Sequence, residues 1–534
     1  MPENSGKTQT FRFNTALASP FMPKTPSDKL YRLVASLSPT EKRYFRIFIR
    51  GKTDRQSKYL QLFETISSGI TDEEKVKQAI YQDEQIEGKK FSELKAYLYD
   101  LLLKCLQSFD EQQSVEYKID QFLQSTHVLY KRGHYQDCRD LLQKAKKIAV
   151  KYEAFSQQLE IIRWEKQLAY TQMDADFLDK NLEHLHHEET IALDKLQNAA
   201  LYRKAFFEVY SAVKREALQR NKERLEQLKE LISRPDFGSL DRAISHRART
   251  QYLRTINLYH YAALEQEQFY ESGQNLISLI ESQPHFLKDN ISDYIAALSN
   301  QVLACGLLRK YDEVRECLSK LRELKPITAD DKRKIHRQYF SNYFALCTYS
   351  GEFEEAFTEM QVCQEEAAAF DPRDYETASF YYQYALISFG CGNYDQAMDY
   401  LNEWHNQPRS VEREDLQSVA RMFTIILHIE MGNTVLLESL LRSATRFLKK
   451  KNRYLSIEQR FIHFVSEISK LPAGKSQLEA YRKMQEDLLS SSDQAATKTL
   501  LQTFDLDAWL ESKLRGESFA AIIQKKWAGE LHTD

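Results

Sequence analysis

The chain has 534 residues, of which 28% are charged and 12% are aromatic, and its formal net charge is −3. Fifteen glycines and eleven prolines together make up less than half of the usual combined share of ~12%. This low share argues against turn-rich β-sandwiches and barrels, collagen and Pro/Gly low-complexity chains. A chain of this length is too long to fold around one compact core, so we expect several domains or an extended array. No apolar run approaches the ~20 residues of a membrane span, and residues 1–26 lack the apolar stretch of a secretion signal.

The cysteines indicate the compartment. There are seven, an odd number, and no CxxC pair occurs among them. This usage is typical of reduced thiols in a cytosol and not of a disulfide framework. We therefore expect a cytoplasmic protein without a membrane span, while the oligomeric state stays open.

Positive charge is concentrated near the start of the chain. Residues 1–60 contain twelve Lys and Arg against four Asp and Glu, a net charge of +8, so the remaining residues carry −11. A basic head on an acidic body suggests an anionic partner such as nucleic acid, a membrane surface or an acidic protein. The alternative is a solvated basic face that only balances the acidic body.

The first part of the chain divides into an arm and a small domain. Residues 1–26 are polar, contain four prolines and show no periodicity, which predicts a flexible arm. Residues 27–112 are predicted to form a small all-helical domain. Its helix starts are marked by two capping boxes, Ser38-Pro39-Thr40-Glu41 and Thr71-Asp72-Glu73-Glu74. A long helix is predicted over Phe91–Phe109.

The helices predicted at 72–82 and 91–109 have the order of a helix-turn-helix, with basic residues where a recognition helix would begin. An earlier amphipathic helix adds arginines on its polar face. Together these give a candidate contact surface for nucleic acid or another anion: Arg43, Arg46, Arg50, Lys89, Lys90 and Lys95. The turn is longer than usual, however, and the second helix could equally dock on the segment that follows.

From about residue 121 the sequence contains internal repeats. Six positions that follow a tight turn serve as anchors, and the last five are 42, 42, 41 and 40 residues apart. The anchors are Tyr135, Phe269, Tyr311, Phe353, Tyr394 and Thr434. Apolar or small residues recur three, seven and ten residues after each anchor, which is one face of a helix. Glycine precedes four of the anchors by two residues, where a left-handed residue would end the previous helix.

Three of these units carry a family resemblance. The segments "RGHYQDCRDLLQKA" (132–145), "SGEFEEAFTEMQVC" (350–363) and "CGNYDQAMDYLNEW" (391–404) resemble tetratricopeptide repeats, although the spacing is 40–42 residues and not the family's 34. The resemblance covers roughly residues 121–480. It implies an all-α protein in which residues 113–492 form a right-handed α-solenoid of helix pairs. Residues 493–534 are predicted to be terminal capping helices.

The resemblance also implies a concave groove lined by the first helix of each pair. Asparagine on that wall grips a peptide backbone in relatives, since one carboxamide both donates and accepts. By position, the candidate groove residues are Arg254, Asn257, Asn300, Asn342, Tyr382 and Gln383. The alternative is that they are ordinary polar helix residues.

Evidence for catalysis is weak. Gly474-Lys475-Ser476 ends like a phosphate loop, but Ser469 replaces the first glycine and a predicted helix precedes it. The histidines at 184, 186 and 187 have metal-ligand chemistry without a second cluster to complete a site. We expect no catalytic residue, no metal and no cofactor.

The sequence therefore predicts a non-catalytic scaffold or adaptor that binds a protein or peptide in the groove of its helical repeats. The alternative is a transcriptional or RNA-level regulator. In that case the N-terminal helical domain would bind nucleic acid and the repeats would sense a peptide or protein.

Overall fold

The structure is a computed structural model. It describes residues 28–50, 57–70, 72–81, 88–110, 114–215, 222–370, 378–406, 414–450, 456–472, 474–489 and 503–529. All regular elements in these ranges are helices, without a strand, which confirms the all-α prediction. The predicted arm at 1–26 lies outside them. The chain divides into two compact units, residues 1–121 (unit 1) and 122–534 (unit 2), and none of the described helices is long and apolar enough to cross a bilayer.

The described part of unit 1 includes five helices whose apolar faces meet in one core. The helices are α1 (Lys29–Ser36), α2 (Pro39–Arg50), α3 (Lys58–Ser67), α4 (Glu73–Tyr81) and α5 (Gly88–Asp110). Phe45, Phe63 and Phe91 are fully buried between them. Leu98, Leu102 and Cys105 of α5 are buried as well, because their helical spacing places them on one face of the helix.

The first predicted capping box forms as expected. The Ser38 backbone N–H donates to the Glu41 carboxylate at 2.6 Å, and the Glu41 N–H donates to Ser38 Oγ at 3.2 Å. At the second helix start the Asp72 carboxylate accepts from the Lys75 N–H at 2.9 Å, while Thr71 lies outside the described residues. Asp72 therefore supplies the cap to α4.

Unit 2 is built from consecutive helices joined mostly by short turns. The first helix, α6 (Val115–Tyr130), starts in unit 1 and ends in unit 2. The next helices are α7 (Tyr135–Lys151), α8 (Phe155–Thr171), α9 (Ala175–Arg215), α10 (Lys222–Ile232), α11 (His246–Ala263), α12 (Gln266–Glu281), α13 (Pro284–Leu287), α14 (Ser292–Leu307) and α15 (Tyr311–Glu323). Two single 3-10 turns, Pro235–Phe237 and Leu240–Arg242, precede α11.

The remaining helices of unit 2 continue the same order. They are α16 (Ala329–Ser350), α17 (Phe353–Ala367), α18 (Ala378–Gly390), α19 (Tyr394–Asn406), α20 (Glu414–Glu430), α21 (Thr434–Lys450), α22 (Ser456–Ile468), α23 (Lys475–Leu489), α24 (Leu506–Arg515) and α25 (Phe519–Trp527). Most helices pack on their neighbours in sequence. In addition, α9 packs on α11, α12 on α14, and α16 on α14 and α18.

The repeat pattern corresponds to helix pairs. Five of the six anchors are the first residue of the second helix of a pair, and Phe269 lies three residues after the start of α12. The positions at offsets three and seven are buried in every unit, for example Ala356 and Met360. The four predicted turn glycines all have left-handed φ angles between 70° and 79°: Gly133, Gly351, Gly392 and Gly432. The interpretation of glycine as the residue that ends the first helix is therefore confirmed.

The weakly patterned region at 150–250 is organised differently from regular pairs. It contains α9, a continuous helix of 41 residues, which packs on α8 and on α11. The sequence from Ala175 to Arg215 contains neither glycine nor proline, so nothing in it ends the helix after a normal repeat length. This is why the pair spacing is lost between the anchors Tyr135 and Phe269.

Truncating a buried repeat position should destabilise unit 2. Met360 and Leu401 are buried in its two largest cores, so we expect Met360→Ala or Leu401→Ala to cost about 2–5 kcal/mol of unfolding free energy. The matched control is Met173→Ala, because Met173 is almost fully exposed and should change stability by no more than about 0.5 kcal/mol. Urea denaturation followed by circular dichroism measures the difference, and equal midpoints would contradict the core assignment.

Acidification should also destabilise unit 2. Burial lowers the pKa of His246, His336 and His428, so the folded state favours neutral imidazoles while the unfolded chain takes up protons near the usual pKa of about 6.5. The contribution of these histidines to the unfolding free energy is therefore fully present above that pKa, and it decreases as the pH falls through it. Urea midpoints should fall between about pH 7.5 and 5.5, and less steeply in His336→Gln, in which the amide can replace the contact of His336 Nε2 with the Cys363 carbonyl.

Candidate functional site

Four helices of unit 2 form a row in which the predicted groove residues lie. We call α11, α14, α16 and α18 the first-helix row, since each is the first helix of its pair. Side-chain amides join its neighbouring members: Asn300 Nδ2 donates to Asn257 Oδ1 at 3.0 Å, Asn342 Nδ2 to Ser299 Oγ at 3.1 Å, and Gln383 Nε2 to the Ser341 carbonyl at 2.8 Å. We call this set of hydrogen bonds the amide seam.

The amide seam corrects the prediction for two groove residues. Asn257 is 1% exposed and donates to the Phe269 carbonyl at 2.9 Å, and Tyr382 is 5% exposed among aromatic rings. Neither can line an open wall. Asn300, Asn342 and Gln383 are half-buried, and each already donates to a polar group on the preceding helix of the row.

Arg254 is likewise held between helices. Its guanidinium pairs with Asp293 of α14 at 2.7 Å and lies 4.0 Å from the ring centre of Phe206 in α9. Burial lowers the Arg254 pKa, and Asp293 opposes that shift. Arg254 of α11 therefore contacts both α9 and α14, and Asp293 balances its charge.

An apolar strip runs along the first-helix row eight residues before each anchor. Its members are Tyr261, Leu303, Ala345 and Leu386. Tyr261 is 39% exposed and Leu303 is 41% exposed, whereas Leu386 is only 7% exposed. Leu386 lines a cavity together with the C-terminal residues Phe504 and Phe519. The strip is therefore open at α11 and α14 and covered at α18.

The covering segment belongs to the chain itself. The Tyr382 hydroxyl donates to the backbone carbonyl of Thr503 at 3.3 Å. The next residue, Phe504, is buried and packs against the rings of Phe389 and Phe423, with centroids 5.6 and 4.9 Å away. A residue predicted to line the groove wall thus contacts the backbone of the chain's own C-terminal segment.

Beyond Phe504 the C-terminal helices contact the turns that join the two helices of a pair. On α24, Trp509 Nε1 and Lys513 Nζ both lie 2.6 Å from the Glu430 carboxylate at the end of α20. On α25, Gln524 donates to the Gly351 carbonyl at 3.0 Å. The predicted capping role describes them only in part: α24 packs on α23, but α25 returns to α16.

A cavity of about 190 Å³ remains under α25. Its wall combines apolar rings with Arg309, Thr348 and Lys526. Lys526 Nζ pairs with Asp505 at 3.1 Å and with Asp507 at 2.6 Å. Burial alone would lower the Lys526 pKa, but these carboxylates raise it. The ion pairs hold the end of α25 against the start of α24.

Of the residues predicted to bind an anion in unit 1, some are paired within the fold and others are exposed to solvent. Lys95 is 8% exposed and pairs with Glu73 at 2.7 Å, and Arg46 forms a two-point pair with Glu64 at 2.7 and 2.9 Å. Both charges are thereby balanced within the fold. Arg43, Lys89 and Lys90 are exposed, and the Arg50 side chain lies outside the described part.

Unit 2 contains buried cysteine thiols and, in α9, the histidines singled out in the sequence. Burial raises the pKa of Cys305, Cys347 and Cys363 to about 12, which suppresses thiolate chemistry. Within the described ranges no three His, Cys, Asp or Glu side chains are placed to hold a metal. Glu188 and Glu189, beside the predicted histidine cluster, pair with Lys146 and Lys166.

The phosphate-loop resemblance also lacks its structural context. Lys475 starts α23, and the element before it is the helix α22, whereas a phosphate loop follows a strand. Comparison of the chain with family models, curated proteins and solved structures finds no match.

If the amide seam holds helices together, removing its buried member should destabilise unit 2. Asn257→Ala removes the acceptor of the Asn300 amide and one of the two side-chain donors to the Phe269 carbonyl. We therefore expect a cost of about 1–3 kcal/mol. Asn342→Ala should cost less, about 0.5–1.5 kcal/mol, because water can replace the lost bond at a half-buried site. Urea denaturation compares them, and an unchanged midpoint in Asn257→Ala would contradict a structural role.

Proposed function

We propose that this chain is a non-catalytic helical-repeat scaffold that binds a peptide segment of a partner protein. In this proposal unit 2 is a right-handed α-solenoid related in plan to tetratricopeptide arrays, and the first-helix row is its concave wall. The observation that carries the proposal is the Thr503–Asp505 segment of the chain itself, which lies on this row and bonds to it through a main-chain carbonyl.

The apolar strip supports binding at the open part of the row. Leu386 is covered by the chain's own segment, while the equivalent Tyr261 and Leu303 are exposed. Exposed aromatic and aliphatic side chains flanked by half-buried amides are typical of surfaces that take an extended peptide. The amides position the helices, and the strip provides the contact area. Phe504 is buried between the rings of Phe389 and Phe423. By analogy, a partner segment would insert an aromatic or aliphatic side chain at the open part of the strip.

The cysteines support a cytoplasmic adaptor. All seven are free, and six of them are buried. Free buried thiols behave as small apolar core residues, which fits a reducing compartment. The alternative function is that of a nucleic-acid regulator. Of the described side chains predicted to contact nucleic acid, Arg43, Lys89 and Lys90 are exposed. No further observation favours it.

A library of phage-displayed peptides tests the proposal without a known partner. We expect the full chain to enrich peptides rich in aromatic and aliphatic residues. A selected peptide should then bind the Leu303→Arg variant at least about tenfold more weakly, since a charge placed in a binding hot spot costs about 2 kcal/mol. Fluorescence anisotropy measures the two affinities.

The matched control is Leu193→Arg. Leu193 is 50% exposed on α9, outside the strip, so this variant should bind the peptide like the wild type. Both substitutions are at exposed sites and should shift stability by no more than about 0.5 kcal/mol. Failure to enrich any peptide, or equal loss in both variants, would refute the proposed site.

A further inference from the structure

The last described helix, α25, attaches to unit 2 through one face. It follows Gly516, whose φ of 69° ends α24, and the Ser518 hydroxyl caps it by accepting from the Ala521 N–H at 3.1 Å. Ile522 and Ile523 are buried, and Phe519, Lys526 and Trp527 are half-buried beside them. These five residues recur at i, i+3, i+4, i+7 and i+8, the pattern of an amphipathic helix that docks on a surface.

The surface under α25 consists of three successive inter-helix turns. Trp527 packs on Tyr311 at the first turn, with ring centroids 3.6 Å apart. Gln524 bonds to Gly351 at the second turn, and Phe519 packs on Phe353 just after it. Cys391, at the third turn, packs against the same cluster. We call this surface the turn edge.

The attachment of α25 differs from that of α24. Trp509 and Leu510 of α24 are fully buried in the large core that includes α20 to α23. The buried side chains of α25 belong instead to a small separate cluster with Phe353 and Ala508, and a cavity remains beneath it. A nine-residue helix is not stable alone in water, so α25 should detach and unfold as one local unit.

We propose that the turn edge is a docking site for an amphipathic helix of a partner protein, and that α25 is its displaceable intramolecular occupant. The partner helix carries the same chemistry as α25. An aromatic residue and an aliphatic pair fill the site of Phe519, Ile522 and Ile523, and a second aromatic residue stacks on Tyr311. A lysine meets Asp505 and Asp507, as Lys526 does. The site meets the strip at Leu386, which lines the same cavity, whereas Tyr261 and Leu303 do not line that cavity. The peptide test at Leu303 and the test of the turn edge can therefore fail independently.

Two glycines of the turns provide a matched pair of variants. Gly351 and Gly392 have nearly the same left-handed φ, 79° and 77°, so alanine brings a similar backbone strain to both. A Cβ at Gly351 would lie 2.7 Å from Gln524 Cγ and 3.1 Å from the Ala520 carbonyl, whereas at Gly392 nothing lies within 4 Å. Gly351→Ala therefore obstructs the docked helix, and Gly392→Ala controls for strain.

Hydrogen exchange on the full chain tests whether α25 opens locally. We expect amides of residues 519–527 to exchange well before those of α24 and α18, and faster in Gly351→Ala than in Gly392→Ala. Exchange of α25 as slow as that of α18 would overturn the proposal, because the helix would then open only with the core.

A labelled peptide of residues 516–529 tests the docking site itself. Ile523→Asp weakens the helix in cis and leaves the turn edge intact, so this variant should bind the peptide at least about tenfold more tightly than the wild type does. Adding Gly351→Ala should abolish that gain, and adding Gly392→Ala should keep it. Trp527→Ala serves as a second variant if Ile523→Asp misfolds.

Three results would overturn the proposal. The first is no peptide binding by either variant when circular dichroism shows both to be folded. The second is equal binding with and without Gly351→Ala, which would place the peptide elsewhere. The third is a wild-type chain that sediments as a dimer and dissociates when the peptide is added, which would make a second copy of the chain the occupant.

Discussion

The left-handed turn between the two helices of each pair is the constraint on which unit 2 depends. One residue with positive φ reverses the chain in so few residues that the second helix must pack back on the first. The apolar positions at offsets three and seven then face inward in every unit, as Leu142 and Leu318 do. The same geometry brings successive turns together as the turn edge, where α25 docks.

Local sequence patterns predicted these turns where glycine occupies them, but the structure requires the conformation even without glycine. Glu153, Met173, Leu264 and Arg309 also have φ angles between 51° and 61°. A non-glycine side chain gives no signal of a left-handed residue, and its strain is offset by the packing of the helices on either side. The turns near residues 150–180 therefore left little sign in the sequence. The uninterrupted helix α9 also lengthens the spacing between turns, which a regular repeat period does not predict.

The candidate site was predictable in position but not in role. Helical spacing correctly placed Asn300, Asn342 and Gln383 on equivalent faces of successive helices, where they form the amide seam. Spacing cannot distinguish a face turned to solvent from one turned to the neighbouring helix, because both recur with the same period. Tyr382 and Asn257 show the consequence, since both lie on the predicted helices and are buried. The C-terminal segment decides where the row is covered.

Contacts of the C-terminal segment join residues very far apart in sequence, such as Tyr382 with Thr503 and Gly351 with Gln524. No periodic pattern encodes such pairs, so the sequence indicated helices but not their place. Tethering also changes the energetics: a segment held in cis has an effective concentration of about millimolar for a short flexible connection. Even modest contacts keep α25 docked, and a partner helix displaces it only if its own affinity and concentration exceed that local advantage. On our proposal, occupancy of the turn edge then depends on the concentration and affinity of the partner helix, because both helices compete for one site.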